Sequence, residues 1–144
     1  LPDASLTTDI LIGFPGENDA DFEQTVSLME SVRYQAAYMY YYNPREGTPA
    51  AEYDGQIPLE TKKSRLKRII DMQLEITRAE TAKRLGSTVK VLAESVSRDN
   101  PGELLGKTEQ DERVVFAAPR SCIGTFVQVL LVELTGNTIR GIVK

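Results

Sequence analysis

Two short turns carry the residue types through which a chain meets a ligand. The first is Gly13-Phe14-Pro15-Gly16-Glu17, entered from Thr8-Asp9-Ile10-Leu11-Ile12. The second is Asn43-Pro44-Arg45-Glu46-Gly47-Thr48-Pro49-Ala50, entered from Tyr40-Tyr41-Tyr42. Glycine lets a ligand approach the backbone, Asn43 offers an amide, and Arg45 offers a guanidinium suited to a carboxylate or a phosphate. Both turns follow an apolar strand, which is where strand–loop–helix architectures place their working loops. A phosphate-cradling P-loop is excluded, because no Lys-Ser or Lys-Thr follows the glycines. With no histidine and a single cysteine, the chain cannot assemble a thiol–imidazole metal set. If it belongs to an enzyme, the reactive centre lies on sequence outside this chain.

Each of these residues also has a structural reading. Gly13 and Gly16 serve a tight turn equally well, with Leu11 and Ile12 filling a core. Asn43 can hold its own loop, and Glu17 and Asp21 suit the start of a helix. Cys122 reads as a small buried or half-buried apolar residue.

Composition frames these motifs. The chain has 144 residues, 41% hydrophobic and 26% charged, enough for one medium domain or two small ones. Its longest apolar stretches, such as Val127 to Val132, fall far short of the ~20 residues that a membrane span needs. The start, Leu1-Pro2-Asp3-Ala4-Ser5, shows no signal-peptide pattern, and a lone cysteine suits a reducing, cytoplasmic setting. Charge is divided unevenly. Residues 1–59 carry two basic side chains (Arg33, Arg45) and ten acidic ones, a net of −8. Residues 60–144 carry fifteen and eleven, a net of +4, which together give the chain's −4. The acidic total argues against a general nucleic-acid coat, while the second half retains enough cations to touch phosphates.

The elements that must position the turns follow from periodicity. Residues 6–12 predict a buried strand ended by Gly13. Asn18 predicts an N-cap, with Phe22, Val26 and Met29 at helical spacing through about Val32. Residues 36–42 predict a second, aromatic-rich strand, parallel to the first. A long helix is expected over 59–85, with a stripe of Leu66, Ile69, Ile70, Gln73/Leu74, Thr77, Thr81 and Leu85, and Gly86 as its stop. Its basic residues form a solvent face with ion pairs such as Lys67 and Arg78 to Asp71 and Glu75, or contribute to RNA binding. From Gly86 the period changes to two. Strands at 88–92, 103–108, 113–116, 125–133 and 138–143, separated by Gly, Pro, Asn and Asp, predict a small five-stranded barrel of the oligonucleotide-binding kind. The fold class is thus α/β followed by all-β, divided as 1–58, 59–85 and 86–144.

In the last segment Lys90, Lys107, Arg113, Arg120 and Arg140 are candidates to track a phosphate backbone. Phe116 is open to two readings, a stacking partner for a base or a core residue, whereas Phe126 inside the longest apolar strand is expected in the core. Residues 86–144 hold seven basic and seven acidic side chains, so binding there requires a local patch.

Three motifs, taken in order, carry a family resemblance: Thr8 to Glu17 with Asp21-Phe22; Tyr42 to Ala50; and Asn100-Pro101-Gly102-Glu103-Leu104-Leu105-Gly106-Lys107-Thr108. With the basic helix and the five-stranded tail, the chain resembles the C-terminal part of radical S-adenosylmethionine methylthiotransferases. It is most similar to the MiaB-type enzymes that methylthiolate an isopentenylated adenosine beside the tRNA anticodon. The resemblance implies that residues 1–58 are the last strand–helix units of a radical-SAM (βα) barrel. It implies a bridging helix next, then an OB-like TRAM barrel that holds RNA. It places Ile12, Gly13 and Phe14 beside the methionine cofactor. Asn43 is a further candidate for the cofactor or its own loop, and Arg45 for a carboxylate or an RNA phosphate, with Lys90, Lys107, Arg113, Phe116, Arg120 and Arg140 as the candidates for RNA in the tail.

Such enzymes use S-adenosyl-L-methionine and two 4Fe-4S clusters, whose cysteine sets this chain lacks, so no metal residue is assigned. The expectation is a fragment that is inactive alone. Its partners are the tRNA anticodon stem-loop and the missing N-terminal part of the same chain, with no membrane. A half-barrel has open sheet edges, which predicts pairing with a second copy. Two other classes share these pieces: a ribosomal-protein aspartate methylthiotransferase and a non-enzymatic RNA-binding module. The Asn100 to Thr108 motif followed by Arg113-Val114-Val115-Phe116 favours the tRNA branch.

Overall fold

A computed structural model describes residues 4–144. The signal-peptide expectation at Leu1 to Asp3 lies outside the described residues. The chain divides into two compact units, residues 5–77 and residues 78–144.

In the first unit, strand β1 (Thr7–Ile12) pairs in parallel with β2 (Ala36–Tyr41), Thr7 opposite Ala36 and Ile12 opposite Tyr41. Helix α1 (Asp19–Val32) connects them. It starts where the sequence predicts, with a reciprocal capping box. The Asn18 side chain accepts from the Asp21 N–H at 3.0 Å, and the Asp21 carboxylate accepts from the Asn18 N–H at 3.0 Å. Helix α2 (Leu59–Ala82) is 24 residues long. Ile12, Phe22, Val26, Met29 and Ile69 form the buried core, with Ile10, Met39, Tyr41, Leu66 and Met72 packed on it.

Only one face of this sheet is covered. Leu11, Tyr38 and Tyr40 point the other way and are 53%, 61% and 57% exposed. The expectation of a buried strand over residues 6–12 is corrected for Leu6 and Leu11, 57% and 53% exposed. The strand period is two, and both helices supply their apolar stripes to the Ile10/Ile12 side. Residues 5–77 form a two-stranded parallel sheet with helices, and among the described residues no (βα) barrel closes around it.

The second unit is a closed five-stranded barrel in the order β3-β4-β5-β7-β6. Its strands are β3 (Thr88–Val96), β4 (Glu103–Thr108), β5 (Arg113–Ala117), β6 (Phe126–Thr135) and β7 (Thr138–Val143). All pairs are antiparallel except β5 with β7. Inward residues alternate along each strand and meet in a core of Val91, Ala93, Leu104, Val114, Phe116, Val129, Leu131 and Ile139. Cys122 is half-buried and packs against this core. A barrel this narrow needs residues without side chains where strands press together. A Cβ on Gly106 would lie 2.4 Å from the Leu92 carbonyl oxygen. Closure leaves the barrel no free edges.

The long helix ends at Ala82 rather than Leu85. The chain continues in turns, with Arg84 N–H on Thr81 O and Ser87 N–H on Arg84 O, and Gly86 at φ +86°. No helix among the described residues is long and apolar enough to cross a membrane.

Candidate nucleic-acid interface

On the outside of the barrel, β4 and β5 present alternate residues to solvent, and their register builds the site. Lys107 stands opposite Arg113, and Leu105 opposite Val115, which in turn faces Arg140 of β7. These rungs form the floor of a groove of about 750 Å³, walled by the end of β3, the following turn at Ser97 to Asp99, and Thr135 and Thr138 beside the β6–β7 turn. The second and third strands of the barrel and these two turns are the surface with which oligonucleotide-binding barrels hold their ligands.

The charge of the groove is mixed. Arg98, Lys107, Arg113 and Arg140 meet Glu94, Asp99 and Glu103. Arg140 Nη1 lies 2.7 Å from Glu103 Oε1, and Lys107 Nζ lies 2.6 Å from Asp111 Oδ1. That hydrogen bond to Asp111 raises the Lys107 amine above its ordinary pKa. Arg113 has no ion pair among the described residues, so its guanidinium faces the groove uncommitted. Behind it, Glu112 is buried, bonded by Arg84 Nη1 at 2.7 Å and by the Thr108 hydroxyl at 3.1 Å. Burial raises its carboxyl above the usual range, against the opposing pull of Arg84 and Thr108. This cluster holds the β4–β5 turn, with Asp111 at φ 63°, in the shape that sets Lys107 beside Arg113.

Of the sequence-predicted RNA residues, Lys107, Arg113 and Arg140 therefore come together. Lys90 and Arg120 do not line the groove. Lys90 sits 4.9 Å over the Phe126 ring and 3.1 Å from Glu109, and Arg120 lies exposed in a short 3₁₀ turn. The two phenylalanines exchange roles. Phe116 is 1% exposed and belongs to the core, so it has no face for a base, while Phe126 is 62% exposed. The reason is register. Phe116 shares its face of β5 with Val114, whereas Phe126 lies opposite Leu92 on the outer face of β3. Arg98 is a groove residue that the sequence did not single out; its place after a strand rich in alternation was the available signal.

At the two turns of the first unit the structure separates five candidates. Ile12 is fully buried in the core. Gly13, at φ +71°, is buried beneath the aliphatic stem of Lys62, and its N–H is already donated to Glu17 Oε2 at 2.8 Å. Both are enclosed by this chain's own residues. Phe14 is 41% exposed and packs edge-on against Tyr42 and Tyr53, and Asn43 and Arg45 are exposed.

The residues missed by sequence are Lys62 and Arg65, assigned to or near a solvent face but 5% and 7% exposed. Lys62 Nζ donates to the Tyr42 carbonyl at 3.0 Å. Arg65 reaches Glu17 Oε1 at 2.5 Å and Asp19 Oδ1 at 2.6 Å. Their spacing with Ile69, Gln73 and Ile76 at three to four residues was the signal; their charge concealed it.

A closed barrel in this strand order, grooved across its second and third strands, defines a small oligonucleotide-binding-type module, and residues 82–144 match the TRAM domain. The chain as a whole resembles the C-terminal part of tRNA methylthiotransferases. It is 48% identical over 142 residues to the tRNA-2-methylthio-N(6)-dimethylallyladenosine synthase of Treponema pallidum (strain Nichols), covering 97% of this chain and 31% of that protein. The proteins of the same name from Desulfitobacterium hafniense (strain Y51) and Geobacillus kaustophilus (strain HTA426) are 45% and 43% identical over 141 residues. In each case 98% of this chain is covered, against 32% and 27% of the relatives. The chain thus spans about a third of the length of the curated relatives it matches.

Proposed function

We propose that this chain is the tRNA-holding C-terminal part of a radical S-adenosylmethionine methylthiotransferase acting on an isopentenylated adenosine beside the anticodon. The observation that carries it is the groove, where Lys107, Arg113 and Arg140 converge on the face that oligonucleotide-binding barrels use. Similarity of 45–48% identity to tRNA methylthiotransferases along nearly all of this chain supports a tRNA substrate.

The residues present do not fit iron–sulfur clusters. There is one cysteine in the chain, and among the described residues no group of potential metal ligands. Both clusters, and with them the cleavage of S-adenosylmethionine, are assigned to the preceding part of the protein. Its strands would also cover the open Leu11/Tyr38/Tyr40 face of the sheet, completing the barrel of which β1 and β2 are the last members. Phe14 and Asn43 are what this chain retains for the cofactor side, and Arg45 for a phosphate. Alone, the chain binds RNA without catalysing a reaction. The open edges of its two-stranded sheet also favour pairing with a second copy, which a strictly monomeric mass by light scattering at high concentration would refute.

The test is binding of an anticodon stem-loop RNA across a salt series, with Arg113→Gln as the control. Binding that weakens with salt, and weakens further in the variant, supports the assignment. Absence of binding at low salt overturns it in favour of a grip made elsewhere in the protein, or of the ribosomal-protein branch.

A further inference from the structure

We propose that the barrel groove takes unpaired nucleotides by their base edges, with the Glu103–Arg140 pair as the reading group and Arg113 as the phosphate contact. The inference rests on the RNA assignment above and states how the groove discriminates.

The argument turns on what holds each cation. Asp111, the partner of Lys107, is 78% exposed, so a phosphate that takes Lys107 returns Asp111 to water at little cost. Glu103 is different. Its side chain is only 13% exposed, against 56% for Arg140. A phosphate that captured Arg140 would strand a largely buried carboxylate and set a second anion beside it. The pair therefore stays together in the complex. It then shows the groove a spare carboxylate oxygen beside the remaining guanidinium N–H groups. Phosphate is an acceptor only and cannot satisfy that carboxylate. A base edge can: cytosine N4 or adenine N6 donates to the carboxylate while a neighbouring ring nitrogen or carbonyl accepts from the arginine. Between this fork and Arg113 lie Leu105 and Val115, opposite each other in register and half-buried, an apolar floor for the face of a base. Nucleotides in a duplex keep these edges paired, so the groove selects loops over stems.

The consequence is a low charge count. Arg113, Lys107 and Arg98 are the groove cations left to neutralise phosphates, which for a single strand gives a slope of log affinity against log salt of about −2.1. The experiment measures anisotropy of three labelled probes with the 144-residue chain: an oligocytidylate, an abasic ribose-phosphate oligomer of the same length, and a blunt RNA duplex. The oligocytidylate is expected to bind at least about fivefold more tightly than the other two, the lower end of what a bidentate base contact provides. Arg113→Gln lowers the slope by about 0.7, while Arg140→Gln abolishes the preference and leaves the slope unchanged. Glu103→Gln frees Arg140, raising affinity for the abasic oligomer and steepening the slope by about 0.7.

The proposal is overturned if the abasic oligomer binds as tightly as oligocytidylate, or if Arg140→Gln lowers the slope as much as Arg113→Gln. Either result leaves the RNA assignment standing. Failure of all three probes to bind at low salt overturns that assignment and this inference with it. Should Arg140→Gln, which strands the Glu103 carboxylate, unfold the barrel, the Glu103→Gln slope and the abasic comparison decide.

Discussion

Replacing Arg65 with methionine isolates one ion pair whose burial makes it matter. Arg65 bonds two carboxylates at nearly equal distance, Glu17 at 2.5 Å and Asp19 at 2.6 Å. Distance alone would rank them as equals; exposure does not. The Asp19 side chain is 96% exposed and loses almost nothing when its partner goes, which places that pair in the range of about 0.2–1 kcal/mol. The Glu17 side chain is 13% exposed and that of Arg65 9%, and removal of one partner from a buried pair costs about 3–5 kcal/mol. Glu17 keeps the Gly13 N–H, so the lower end, about 3 kcal/mol, is expected for Arg65→Met.

The assay is urea unfolding followed by tyrosine fluorescence. All six tyrosines lie between residues 34 and 53 and the chain has no tryptophan, so the signal reports residues 5–77 alone. Asp19→Asn should cost less than about 1 kcal/mol. The double variant Glu17→Gln, Arg65→Met should be more stable than Arg65→Met, because it no longer buries an unpaired charge. A cost for Arg65→Met under about 1 kcal/mol, or equal to that of Asp19→Asn, would refute the claim that burial rather than distance sets the strength of this anchor.

Three further outcomes follow from the barrel. Phe116→Ala should destabilise it by about 3–5 kcal/mol by circular dichroism, and Phe126→Ala by no more than about 1, since only the first empties a core site. Gly106→Ala should cost about 1–3 kcal/mol, because its Cβ would meet the rigid backbone oxygen of Leu92; unchanged stability would mean the β3–β4 bulge relaxes to admit it. Glu112 has a folded pKa above its unfolded value of about 4.5, so the folded state holds its proton more tightly. Its contribution to stability is present below that value and is lost as pH rises through the raised pKa. Glu112→Gln should therefore gain on the native protein as pH rises above about 4.5, and parallel pH–stability curves would contradict this.

Much of the architecture was legible because it follows from local rules. The change of period at Gly86 from 3.6 to two, the Asn18 cap with Asp21, and the turn residues between five short strands each depend on neighbours in sequence. The structure reproduces them to within a few residues. Lys107, Arg113 and Arg140 were also visible, as cations in a segment without net charge.

What the sequence left open depends on which side of a strand or helix faces inward. Phe116 and Phe126 are both aromatic residues in apolar strands, and only pairing with β4 and β3 sends one into the core and the other to solvent. Lys62 and Arg65 have charged ends that mask their place on the buried stripe of α2; the strand-end carbonyl of Tyr42 and the carboxylate of Glu17 make that burial possible. Gly13 shows the same logic, a flexible residue whose missing side chain leaves room for the Lys62 stem. Sequence thus determined which elements form and which cations are at hand. Tertiary structure decided which atoms remain accessible, because accessibility is set by partners far away along the chain.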